Sequence, residues 1–282
     1  MMEVVKNKLV CGKHEKPIVT DVLFHKNGQK KPVVIFCHGY KGYKDWGVFD
    51  KMGSSFVNEE LFLVKFNFSH NGGTPSEPID FPDLEAFGNN NFVKELDDLE
   101  SILDWLESNA DFSDEIDLNN ISLIGHSRGG GIITLKASED SRIQKIISWA
   151  SVSDYEARFP VGEVLDYWKK EGVAYIENAR TKQQMPHYFQ FYNNFIENKE
   201  RLNIQLAAER LQIPHLIIHG TEDPTVSLEE AKRLHKWSEK SELFLIENAD
   251  HGFGAKQPWT EDFLPKDFVV VLEKTISFIK SN

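Results

Sequence analysis

A serine flanked by glycines is the first residue of this chain with the surroundings of a nucleophile. It lies in Ile121-Ser122-Leu123-Ile124-Gly125-His126-Ser127-Arg128-Gly129-Gly130-Gly131, where an apolar run precedes the serine and a stretch of helical character follows. G-x-S-x-G between a strand and a helix describes a nucleophile elbow. A sharp turn of this kind holds the serine in a strained conformation, and Gly125 and Gly129 keep side chains away from its closest neighbours. The hydroxyl then stands at a helix N-terminus, where the macrodipole favours developing negative charge. Such a serine is suited to attack on a carbonyl carbon.

An alcohol needs a base to take its proton and an acid to orient that base, and in the elbow arrangement the order is serine, acid, histidine. Beyond Ser127 the histidines are His187, His215, His219, His235 and His251. His215 and His219 fall in a strand pattern and His235 in a helical one. His251 follows the last expected strand in Ile246-Glu247-Asn248-Ala249-Asp250-His251-Gly252-Phe253. That puts it in a loop at a strand's carboxyl end, where open parallel sheets bind ligands. His251 is the expected base. Asp223, in Gly220-Thr221-Glu222-Asp223-Pro224, follows the preceding strand and is the expected orienting acid, with Asp154 as the alternative. Asp250 reads as a turn former.

The negative oxygen of a tetrahedral intermediate requires hydrogen-bond donors. The first is expected from the backbone N–H of Arg128, directly after the nucleophile. The second is expected from Tyr40 in Cys37-His38-Gly39-Tyr40-Lys41-Gly42, where Gly39 permits close backbone approach. His38 precedes the serine and reads as support for this loop's shape.

These residues must be carried by regular elements. Val4–Val10 and Ile18–Phe24 read as paired strands at one edge. Core strands are expected at Pro32–Cys37, Leu61–Phe66, Ile121–Ile124, Lys145–Trp149, His215–His219 and Glu242–Ile246. Helices are expected at Asn91–Ser108, Arg128–Ala137, Leu228–Ser238 and Pro265–Lys280, and a loop at His70–Ser76. Strand–helix alternation of this kind predicts a largely parallel sheet flanked by helices. From about Ser153 to Leu211 the rhythm breaks, and the segment is rich in aromatics, among them Tyr155, Phe159, Trp168, Phe191 and Phe195. It is expected to be a helical lid insertion within a single domain covering residues 1–282.

Composition narrows the function. A formal net charge of −12 over 282 residues argues against nucleic acid as a partner, because phosphates are neutralised by basic surfaces. It weighs in the same way against a strongly anionic substrate. The two cysteines, Cys11 and Cys37, have neither zinc-site nor disulfide spacing, and Cys37 sits in an apolar run as a small core residue. No signal-peptide pattern or bilayer-spanning run is read in the sequence, so a cytoplasmic location is expected, with no membrane partner.

Taken together, His38-Gly39, G-H-S-R-G-G, G-T-E-D-P-T-V and A-D-H-G-F resemble the α/β-hydrolase superfamily. Within it they are most similar to cinnamoyl/feruloyl-esterase-like and acylaminoacyl-peptidase-like serine hydrolases. Dienelactone hydrolases are similar in layout, but they typically carry a cysteine nucleophile, and this chain has Ser127. The resemblance covers about 31–151 and 212–280. It implies an α/β-hydrolase fold and a carboxylesterase-type reaction on a small-molecule ester, through an acyl-enzyme and without a metal or organic cofactor. In feruloyl-esterase-like members an insertion at the same place covers an aromatic acyl pocket. The aromatics of 153–211 fit that role and also fit a lid with its own core. Arg128 departs from the glutamine or methionine frequent after the nucleophile. An exopeptidase or amidase with the same triad, and a non-catalytic binding protein, are the competing readings.

Overall fold

A computed structural model of the protein describes residues 1–281. In it, neighbouring residues of each central strand belong to two different cores, as the two-residue repeat of a pleated strand requires. Val33, Ile35 and Cys37 join one cluster with Leu123, Ile146 and Ile217, while Val34 and Phe36 join another with Ile124, Ile147, Leu216 and Ile218. Such continuous β-branched and aromatic runs mark strands buried on both faces. Burying one such side chain contributes roughly 1.5–3 kcal/mol.

The elements run in order as β1 (Met2–Val10), β2 (Ile18–His25), β3 (Lys31–Cys37), α1 (Gly53–Val57), β4 (Phe62–Asn67), α2 (Leu84–Gly88), α3 (Phe92–Ser108), β5 (Ile116–His126), α4 (Arg128–Glu139) and β6 (Ile143–Trp149). There follow α5 (Glu163–Glu171), β7 (Val173–Glu177), β8 (Gln184–Tyr188), α6 (Gln190–Glu197), α7 (Ile204–Arg210), β9 (His215–Gly220), α8 (Leu228–Trp237), β10 (Ser241–Ile246) and α9 (Lys266–Lys280). Eight strands form one sheet in the order β1-β2-β4-β3-β5-β6-β9-β10. β1 and β2 pair antiparallel, β2 runs antiparallel to β4, and every later pairing is parallel. The first face is covered by α3, α4, α7 and α8, the second by α1 and α9. This is the α/β-hydrolase fold anticipated from the sequence.

α3 shows how locally its boundary is set. The Asn91 side chain caps its first turn by accepting from Lys94 N–H at 2.9 Å, and Phe92, Leu96, Leu99, Leu103 and Leu106 bury one face. Two segments depart from expectation. β5 begins at Ile116 rather than Ile121, because its polar first half pairs with Lys31 and Pro32 across a register shift. The segment 153–211 is not wholly helical: besides α5, α6 and α7 it contains the antiparallel hairpin β7–β8. β7 has no buried residue, so it lacks the apolar alternation by which a strand is recognised. Residues of this segment nevertheless share the first core, including Tyr155, Phe195, Leu202 and Ile204.

Candidate active site

Ser127 leaves β5 with φ +56° and ψ −118°, a left-handed conformation for a residue that carries a Cβ. Such a position costs on the order of 1–3 kcal/mol and persists where neighbours over-determine it. Here the Ser127 N–H donates to the Trp149 carbonyl at 2.9 Å. Its own carbonyl accepts from Gly130 N–H at 3.0 Å and Val152 N–H at 3.3 Å. The flanking glycines are sterically required. A Cβ on Gly125 would collide with the Gly129 carbonyl, and one on Gly129 with the Cys37 carbonyl. On Gly39 it would lie 2.9 Å from Ser127 Cβ, so the loop after β3 packs directly on the serine.

Asp223 follows β9 and His251 follows β10, and the sheet brings them together. His251 Nδ1 lies 2.7 Å from Asp223 Oδ2. The Asp223 side chain is fully buried, which by itself would raise its pKa. The bond from His251 and the amides of Val226 and Thr225 outweigh burial and hold the carboxyl below its ordinary range. An ionised carboxylate only accepts, so Nδ1 carries the proton and Nε2 is left as the basic nitrogen. Ser127 and His251 face one cavity of about 290 Å³, whose walls include His126, Tyr40, Trp46 and Phe49. Ser127 Oγ has no hydrogen-bond partner among the described residues.

The two amides expected to receive an oxyanion flank the serine. Arg128 is the first residue of α4, so its N–H lacks an intrahelical acceptor. Tyr40 lies next to Gly39, and among the described residues its N–H has no acceptor. The Arg128 side chain turns away from the cavity. Its Nη1 donates to the buried Glu95 at 3.1 Å, and its guanidinium lies 5.0, 4.8 and 5.1 Å from the rings of Tyr40, Phe92 and Phe191. Burial raises the Glu95 pKa, opposed by Arg128 and Asn90.

Two histidines have positions that residue order did not reveal. His126, inside the G-x-S-x-G motif, donates from Nε2 to the His251 carbonyl at 2.9 Å. Burial and the neighbouring His251 press its pKa down to about 3, so it is a neutral tie between β5 and the loop after β10. His187, on β8, has Nε2 2.7 Å from the Tyr40 hydroxyl, and burial lowers its pKa to about 4. Only their place beside the motif, for His126, and their residue type marked them in the sequence. His38 is buried. Its Nδ1 donates to the Gly39 carbonyl at 2.9 Å and its Nε2 accepts from Phe68 N–H at 3.3 Å, which shapes the Tyr40 loop.

Other groupings are structural. Ser148 Oγ and His215 Nε2 lie 2.8 Å apart, but both residues are 0% exposed within the sheet, where no substrate carbonyl can reach. Asp154 caps a turn by accepting from Glu156 N–H at 2.8 Å. Asp250 accepts from Gly252 and Gly254 amides at 3.0 and 2.9 Å, as a turn former does. Asp21, Asp45 and Asp50 place carboxylate oxygens within 4.8 Å of one another. Lys44, Lys65 and Lys6 already insert their ammonium groups among them, which fills the space and balances the charge a cation would need.

The BD-FAE family matches residues 20–238. A search of curated proteins finds no match. Among solved structures, Est1E from Butyrivibrio proteoclasticus with ferulic acid bound is 16% identical, covers 96% of this chain and 97% of its own, and has a TM-score of 0.70. Dienelactone hydrolase from Anabaena variabilis is 15% identical over 98% of this chain and 96% of its own, with a TM-score of 0.65. The acylaminoacyl peptidase of Pyrococcus horikoshii is 14% identical over 99% of this chain but 41% of its own, with a TM-score of 0.66. Among the described residues no helix is long and apolar enough to cross a membrane. The chain belongs to the BD-FAE family and has the fold of the α/β-hydrolase serine hydrolases.

Proposed function

We propose that the protein is a serine carboxylesterase acting on a small-molecule ester, with Ser127 as nucleophile, His251 as base and Asp223 as the orienting acid. The observation that carries this reading is one constellation. A strained serine at the head of α4 shares a cavity with a histidine whose Nδ1 is committed to a buried carboxylate. His251 Nε2 takes the Ser127 proton as Oγ attacks the ester carbonyl, and the Arg128 and Tyr40 amides hold the resulting oxyanion. The protonated imidazole then gives its proton to the departing alcohol. Water, deprotonated by His251, cleaves the acyl-enzyme and restores Ser127. Each step is completed by the chain's own groups, and no cofactor enters.

Residues 153–211 are read as an insertion within a single domain, a cover held against the Tyr40 loop. Its aromatics pack on one another and on α3: Tyr155 stacks on Phe92 at 3.8 Å, and Phe159 lies 4.9 Å from Phe195. The aromatic walls around Ser127 come from Tyr40, Trp46 and Phe49, outside that segment. The 290 Å³ cavity suits a small or medium acyl or alcohol group.

Labelling with a fluorophosphonate tests the reading directly. The wild-type chain should be labelled and Ser127→Ala should not. Equal labelling of both would remove Ser127 from its role, and no labelling of either would favour a binding protein on this fold. A panel of aryl and alkyl esters beside matched amides then separates esterase from amidase.

A further inference from the structure

The cavity at Ser127 does not end there. A second cavity of about 370 Å³ shares Lys41, Trp46 and Ala255 with it as walls, so the two adjoin at the mouth of the site. The charged walls of the second cavity are Lys41, Arg180 and Lys256, and among the described residues none of its walls is acidic. This concentration of cations is notable in a chain with 44 acidic and 32 basic side chains.

Lys41 occupies the junction. It immediately follows Tyr40, whose amide is assigned to the oxyanion, and its backbone is fixed at φ +54°. Its ammonium lies 5.2 Å from the centre of the Tyr40 ring. Among the described residues no carboxylate lies within salt-bridge distance of Lys41 or Lys256, and burial pulls the Lys41 pKa down with no anion opposing it. A partly desolvated cation without a partner gains from an incoming anion more than an exposed one does. Arg180 is already paired with Asp80, so it contributes less. Among the described residues the one acidic wall of the inner cavity is Asp250, one of whose oxygens is taken by two backbone amides.

Resting on the ester-hydrolase reading, we propose that the preferred substrate carries an anionic group, a carboxylate or phosphate, on an arm that leaves the Ser127 cavity past Lys41 toward Lys256. The scissile carbonyl sits against the Arg128 and Tyr40 amides, and the arm runs between Trp46 and Ala255. The net acidity of the chain, which weighed against an anionic substrate, does not describe this cleft. A local cationic lining in an acidic molecule favours an anion at one place and repels it elsewhere.

The test compares esters matched except for charge, with the charge on either arm. The acyl arm is probed with the para-nitrophenyl monoester of glutaric acid against para-nitrophenyl pentanoate. The alcohol arm is probed with para-acetoxybenzoate against its methyl ester, and with para-acetoxyphenyl phosphate against its dimethyl ester. In at least one pair the charged ester should show a kcat/KM about tenfold above its neutral partner at low salt, shrinking as salt is added. Lys41→Met should lower that ratio about tenfold, Lys41→Arg should restore most of it, and Lys256→Met should lower it by a smaller factor. The proposal is overturned if every charged ester is turned over no better than its neutral partner, or if the preference survives in both methionine variants. Absence of Ser127-dependent hydrolysis of the neutral esters would instead overturn the esterase reading itself.

Discussion

The sheet-borne site and the segment 153–211 touch each other, yet they are built in opposite ways. Around Ser127 the backbone does the positioning. A left-handed serine, glycines without room for a methyl group, and loops at the carboxyl ends of β3, β5, β9 and β10 set the reactive atoms. In 153–211 the side chains do it. Phe159, Trp168, Phe191, Tyr192 and Phe195 pack on one another around Phe92, over short helices and a hairpin with little buried surface of its own. The first region tolerates almost no shape change at single atoms, whereas the second depends on total packed area. The two meet at side chains attached to the proposed oxyanion donors, where His187 bonds Tyr40 and Phe191 covers Arg128.

That contrast can be broken experimentally. The largest effect should come from Asp223→Asn, which keeps the shape but offers His251 an amide in place of an anion. A loss of about 10³–10⁴-fold in kcat is expected, with the melting temperature changed little, as a wrong imidazole tautomer would cause. Steady-state kinetics beside thermal unfolding would reveal it, and a loss under tenfold would move the acid elsewhere. Phe195→Ala should show the reverse pattern. Removing this buried ring should destabilise by about 3–5 kcal/mol, seen as a lower denaturant midpoint, while kcat of the still-folded enzyme stays within a factor of a few. A collapse of kcat without loss of stability would mean that residues 153–211 take part in chemistry.

His187 tests the junction between the regions. His187→Phe and Tyr40→Phe each delete the same hydrogen bond while retaining the Tyr40 amide. Each should lower kcat by about tenfold, or about 1.4 kcal/mol, with KM nearly constant. The double variant should be no worse than either alone, because both remove one interaction. Full additivity would show that the contact does not act on the oxyanion loop.

The smallest expected effect is on stability with pH, and it spans both regions. Burial lowers the pKa of His38 and His187 to about 4 and of His126 and His215 to about 3, from an ordinary 6.5. Within that window the unfolded chain binds protons that the folded chain refuses. Stability contributed by these neutral rings is full above the ordinary value and falls as pH drops toward 4. Asp98 opposes the trend, since burial raises its pKa to about 7 and it takes up a proton on folding in the same range. His70 is likewise lowered to about 4 and Glu95 is raised beside Asp98, so the depressed rings still outnumber the raised carboxyls and leave a net fall, measured as a denaturation midpoint declining between neutral and mildly acidic pH. His187→Phe should flatten the decline slightly.

Much of this architecture is legible in the sequence. The central strands lie within a few residues of their expected positions because β-branched runs bounded by turn residues are a strong local signal. The capping role of Asn91 emerged only in the fold, whereas the apolar spacing of Phe92, Leu96, Leu99, Leu103 and Leu106 along α3 was equally plain. α1, α2 and the β7–β8 hairpin were not, because five-residue elements with mixed burial carry no periodicity to detect. In the site, His251 and Asp223 could be selected by order and by their loops. The ties made by His126 and His187 could not, because a histidine's partner depends on which loop lies across from it.

What the sequence determined by itself is the elbow at Ser127, since its glycines and turn act on backbone a few residues away. Tertiary structure alone decided which distant groups meet. Asp223 and His251 are 28 residues apart and Tyr40 and His187 are 147 apart, yet each pair closes to 2.7 Å. The order of strands β3-β5-β6-β9-β10 brings the loop ends to one edge of the sheet, and the packing of residues 153–211 sets His187 against Tyr40. Conformation is set by near neighbours, but proximity is set by the sheet.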